Sequence, residues 1–108
     1  MGHYLIEVAY TGEAWAAQVS NPQNRIEAIR PVIERLGGRI ESAYYAFGEY
    51  DVVGIMEMPD PVSAAAFSLA ASAGGAVKAI KTTPLLTIED GIAAMQKAAG
   101  AGYRPPGG

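Results

Sequence analysis

Two apolar runs in the middle of the chain, residues 39–47 and 51–58, are separated by only a few residues around Gly48. So short a gap predicts an antiparallel hairpin, because a parallel pair needs a crossover of a dozen or more residues. The flanking segments then fall into place around it. Residues 3–10 alternate Tyr4, Ile6, Val8 and Tyr10 against His3, Leu5, Glu7 and Ala9, the period-2 pattern of a strand. Residues 76–86 offer a fourth strand. Between the first strand and the hairpin, Asn21-Pro22 reads as a helix start, and Ile26, Ile29, Val32, Ile33 and Leu36 follow at helical spacing before Gly37-Gly38. The helix expected over 22–36 holds Pro31, which deletes one backbone hydrogen bond and predicts a kink. Asp60-Pro61 repeats the start signal for an alanine-rich helix over 62–72, closed by Gly74-Gly75.

The order strand, helix, strand, strand, helix, strand predicts an α+β, ferredoxin-like βαββαβ domain. Its four-stranded antiparallel sheet would carry both helices on one face. A short helical turn over 14–20 carries Trp15, and Thr87 with Asp90 resembles a capping box for an appended helix reaching about residue 99. The expected organisation is a domain over 1–87, the appended helix over 88–99 and a flexible Gly/Pro tail over 100–108. Leu5 and Ala9, with apolar residues at both parities of the hairpin (Val52, Met56 and Met58 against Val53 and Ile55), make the sheet's second face too apolar for water. A second copy of the same sheet is the economical cover, giving a dimeric α/β barrel.

Composition narrows the chemistry. The 108 residues include no cysteine, which removes disulfides, zinc–thiolate sites, iron–sulfur clusters and thiol nucleophiles. A net charge of −3 without a Lys/Arg cluster argues against nucleic acid as a partner. The uncharged run 61–77 is too rich in Ala, Ser and Gly to span a membrane, and the N-terminus lacks a signal-peptide pattern, so a soluble, cytoplasmic protein is expected.

The stretch GGRIESAYYAFGEYDVVGIMEMPD resembles the GYD domain family, named for a Gly-x-Tyr-Asp pattern that here is Gly48, Tyr50 and Asp51. The likeness runs from the first strand to about Thr87, with Pro31 and the later extension as departures. It implies a ferredoxin-like fold related to dimeric α/β-barrel proteins, and it implies no particular reaction.

Candidate chemistry lies at few positions. At the turn, Tyr50 is a candidate hydrogen-bond donor to a ligand and Asp51 a candidate base or its orienter. The structural alternative has Gly48 at positive φ, Asp51 bonded to turn amides and Tyr50 packed on a neighbour. On that alternative Gly48→Val disrupts folding or assembly and Tyr50→Phe is mild. His3 is the only imidazole, and with Glu7, Tyr45 and Glu57 it forms the candidate catalytic set. His3 is also a candidate ligand for a metal or haem, or else an exposed terminal residue; a three-histidine site is ruled out, and no metal or cofactor is assigned. Tyr44, Tyr45, Tyr50, Asp51 and Met56 form the candidate ligand-binding set. One of the two adjacent tyrosines must face away from the helices, and with Phe47, Met56 and Met58 it would wall a pocket for a flat apolar or aromatic molecule. Two functions follow as expectations: a homo-oligomeric small-ligand binding or assembly protein, or a cofactor-free oxygenase, isomerase or decarboxylase of the dimeric α/β-barrel type.

Overall fold

Every helix begins on a side chain that accepts an otherwise unpaired amide. The computed structural model describes residues 1–107, running β1 (Gly2–Tyr10), α1 (Gly12–Ser20), α2 (Arg25–Arg35), β2 (Arg39–Tyr45), β3 (Val52–Met58), α3 (Pro61–Ala73), β4 (Val77–Leu85) and α4 (Ile88–Ala99). Thr11 Oγ1 accepts from the Ala14 amide at 3.1 Å, Asn24 Oδ1 from Glu27 at 3.1 Å, Asp60 Oδ1 from Ser63 at 2.7 Å and Thr87 Oγ1 from Asp90 at 3.0 Å. The caps at Asp60 and Thr87 are those expected. The start of α2 is not: Asn24 caps it, while Asn21 ends α1 by donating its amide to the Ala17 carbonyl at 3.1 Å. Thr11 makes α1 a full helix that uses Asn21 as its stop, and Pro22 keeps Asn21 out of the helical region, at φ −145° and ψ 78°. Asn24 has Glu27 three residues on, the spacing of a capping box. Pro31 lies exposed within α2, which continues to Arg35.

The strands form one sheet in the order β2-β3-β1-β4, with every neighbouring pair antiparallel. With α2 and α3 on one face, this is the α+β, ferredoxin-like arrangement. Tyr4 and Ile6 of β1 and Met56 and Met58 of β3 pack against Ile33 of α2 and Ala64 and Phe67 of α3. The small Ala64, at 2 % exposure, lets α3 lie close on the sheet. Gly37 takes the turn after α2 at φ +86°, and a Cβ on Gly38 would run into the Glu57 carbonyl and the Met58 sulfur. Glycine is therefore needed where the chain folds back beside the end of β3.

The opposite face carries His3, Leu5 and Glu7 of β1, opposite Glu57, Ile55 and Val53 of β3. Among the described residues no helix covers it. α4 buries none of its residues, and Ile88, Ile92 and Met95 remain 83, 50 and 72 % exposed. The molecule is accordingly elongated, with a radius of gyration of 17.3 Å, where a compact chain of this length has about 13 Å. Residues 100–107 form neither helix nor strand, and Gly108, the last residue of the expected tail, lies outside the described residues. Among the described residues no helix is long and apolar enough to cross a membrane.

Candidate functional site

The β2–β3 connection spans 46–51 and is closed by the Ala46 amide donating to the Asp51 carbonyl at 2.9 Å. Asp51 is its anchor. Its amide donates to the Val8 carbonyl at 2.7 Å, and its Oδ2 accepts from the Tyr10 amide at 2.9 Å and from the Trp15 indole Nε1 at 3.1 Å. One carboxylate oxygen thus ties the end of β1, the first helix and the hairpin together, so Asp51 acts here as a positioning group. Gly48 is not at positive φ; that conformation belongs to Phe47, at φ +51°. The connection is longer than the tight turn expected, so its left-handed residue falls one place earlier. A Cβ on Gly48 would meet nothing within 4 Å. The expectation for Gly48 is corrected accordingly: Gly48→Ala should change the unfolding free energy by less than about 0.5 kcal/mol in a urea titration.

Beside this turn the aromatic side chains gather. Trp15 meets Tyr10 edge-on at 5.5 Å, and Tyr45 and Phe47 stack at 5.5 Å with 11° between their planes, 6.3 and 6.0 Å from Trp15. Phe47 is 74 % exposed despite a backbone conformation that bulky residues rarely adopt. Tyr44 and Tyr45 also line an open groove of about 510 Å³ between α2 and the edge strand β2, with Ile26, Arg30, Ile40 and Ser42. Burial pushes the Tyr10 phenol above its ordinary range, the neighbouring Tyr45 adds to the rise and Arg25 opposes it. Tyr10 is therefore a hydrogen-bond donor near neutrality and not a base.

On the uncovered face the chain builds a charged cluster. His3 Nδ1 lies 3.0 Å from Glu41 Oε2, and His3 Nε2 lies 3.5 Å from Glu57 Oε1. Arg39 Nε donates to the other Glu57 oxygen. The Arg39 hydrogen bond holds the Glu57 carboxyl below the usual range; partial desolvation opposes this, and the charges of Arg39, His3 and the N-terminal ammonium reinforce it. A bulge between Ile40 and Ser42 interrupts the β2–β3 register beside Glu41.

The candidate catalytic residues therefore separate. His3 and Glu57 are cross-strand neighbours, whereas Glu7 stands opposite Val53 and Lys81, four residue pairs along. Glu7 and Lys81 instead share a shallow depression of about 310 Å³ with Gly48 and Tyr50. Tyr45 pairs with the buried Val52 on the helix side of the sheet and belongs to the aromatic group, while Tyr44 pairs with Val53 and is 70 % exposed. Met56, at 2 % exposure, is a core residue between sheet and helices and does not line the groove of the tyrosines. Phe47 was expected as a pocket wall, whereas Glu41 and the Trp15–Asp51 bond were not legible as site features. Charged Arg39 and Glu41 flanking Ile40 are the one signal for Glu41, and its pairing with His3 needs the register of three strands.

Residues 4–95 match the family model described as GYD domain. The chain belongs to the GYD domain family. The match runs past Thr87, where the likeness was expected to end, and takes in most of α4. Neither a curated protein nor a solved structure matches this GYD domain chain.

Proposed function

We propose that this GYD domain protein works as a homo-oligomer, its uncovered sheet face packed on a second copy as in a dimeric α/β barrel, and that it binds a small flat ligand. The observation that carries the assembly is the apolar surface left open by the chain itself: half-buried Leu5, Val53 and Ile55 on the sheet, and exposed Ile88, Ile92 and Met95 along α4. Apolar surface of that extent is expected to have a partner, and an isologous interface lets one patch cover its own copy. The ligand reading is favoured by the aromatic wall of Trp15, Tyr45 and exposed Phe47 beside the groove, where ring faces suit a flat apolar or aromatic molecule. Binding without turnover fits Asp51, whose Oδ2 already accepts two internal donors.

Native mass spectrometry of freshly purified protein, before dialysis, tests both parts. The expected spectrum is a dimer or a multiple of one, with a discrete extra mass that Tyr45→Ala removes. Ile55→Lys should weaken association by about 100-fold or more, because an isologous interface loses two apolar side chains worth about 1.5–3 kcal/mol each. A wild-type monomer at micromolar concentration overturns the assembly. An oligomer whose extra mass survives Tyr45→Ala overturns the groove as the ligand site.

A further inference from the structure

Three strands bring one imidazole and two carboxylates to a single point on the uncovered face. His3 of β1, Glu41 of β2 and Glu57 of β3 each offer a ligand atom, and those atoms lie within 4.8 Å of one another. An ion bonded to nitrogen and oxygen donors at about 2.0–2.2 Å holds them about 3–4 Å apart, so this trio already lies close to the spacing that one centre needs. We propose that His3, Glu41 and Glu57 bind a single divalent transition-metal ion of the zinc type.

Donor chemistry favours that occupant and the charge allows it. Two carboxylates with a neutral imidazole carry −2, which the Arg39 guanidinium on Glu57 reduces to −1, so the cluster keeps a net negative charge for a cation. One nitrogen and two oxygens suit zinc or manganese, while calcium and magnesium prefer oxygen alone. Exposure is distributed to match. The His3 and Glu41 side chains are 35 and 37 % exposed, whereas Glu57 is 14 % exposed and has one oxygen held by Arg39, with the other towards His3. Arg39 thus acts as the outer partner that orients a ligating carboxylate. Open coordination positions would face a depression of about 210 Å³ that His3 and Glu41 line with Ile55, Leu85, Leu86 and Thr87, room enough for water or an exchangeable ligand.

A metal-free ionic cluster, with protonated His3 bridging the two glutamates, is the alternative that the experiment separates. Chelator-treated full-length protein is titrated with Zn²⁺, and separately with Mg²⁺, by calorimetry, and the Zn²⁺ mixture is examined by native mass spectrometry. The expected result is one Zn²⁺ per chain, bound at least about tenfold more tightly than Mg²⁺. His3→Gln and Glu41→Gln should each weaken Zn²⁺ at least as much as loss of an outer partner does, about 10-fold or more. Glu27→Gln, at the exposed pair with Arg30, should leave it unchanged. Circular dichroism of each variant checks that the fold persists, and with Cu²⁺ as probe the nitrogen hyperfine splitting of its electron paramagnetic resonance spectrum should vanish in His3→Gln. Absence of saturable binding overturns the proposal, as does Zn²⁺ binding that both site variants retain. The same mass spectra count subunits, so an oligomer without metal would sink this site and leave the assembly standing.

Discussion

Asp51→Ala is expected to lower the unfolding free energy by about 2–4 kcal/mol, since hydrogen bonds to a charged acceptor contribute about 1.5–3 kcal/mol each and their loss leaves donors unsatisfied. Two donors are stranded at once, the Tyr10 amide and the Trp15 indole. Both lie in the half-buried region where β1 ends, and the indole retains some access to water, which keeps the expected loss below the sum of two full bonds. Urea unfolding followed by the fluorescence of Trp15, the chain's single tryptophan, reads the change directly. Asp51→Asn keeps one acceptor oxygen without its charge and should lose about half as much. A different outcome would reverse the role given to the residue: Asp51→Ala that stays within about 0.5 kcal/mol of the parent yet loses the proposed ligand would make Asp51 a ligand contact.

Met58→Ala is expected to cost about 2–5 kcal/mol, the range for truncating a buried large side chain and leaving a cavity. Met58 is 0 % exposed and lies at the end of β3, where its sulfur stands close to Gly38. The turn after α2 closes against that sulfur, so collapse into the vacated space is resisted by backbone on one side and by the α3 contacts on the other. For a domain of this size each kcal/mol lowers the melting temperature by about 4 °C or more, and a loss of this size is a large fraction of the usual 5–15 kcal/mol. Thermal unfolding at one fixed protein concentration is the measurement, because the melting temperature of the proposed oligomer would depend on concentration. Val62→Ala, at 78 % exposure, serves as the comparison and should move by less than about 0.5 kcal/mol. Equal effects of the two substitutions would mean that the sheet–helix core does not dominate stability.

Some features of the site were within reach of pattern reasoning and others were not. The hairpin, the four strands and the caps at Asp60 and Thr87 depend on neighbours along the chain, and local chemistry marks them. Asn21 and Asn24 show where that limit falls: both are good caps, and the choice between them rested on whether Thr11 could already start a helix ahead of them. At the turn, the Gly of the motif suggested a left-handed residue, but the length of the connection moved that conformation onto Phe47.

The amino-acid order alone determined the α+β class, the antiparallel pairing of the hairpin, the presence of apolar residues on both sheet faces and the absence of thiol chemistry, because periodicity and residue type act over a few neighbouring positions. Tertiary structure alone decided that Asp51 bonds Trp15 and the end of β1, that Tyr45 belongs with the helices and Tyr44 with the open side, and that His3 meets Glu41 and Glu57. Each of those meetings joins residues tens of positions apart, and a shift of one residue in strand register exchanges the two faces of a strand, so only the packed sheet selects among them.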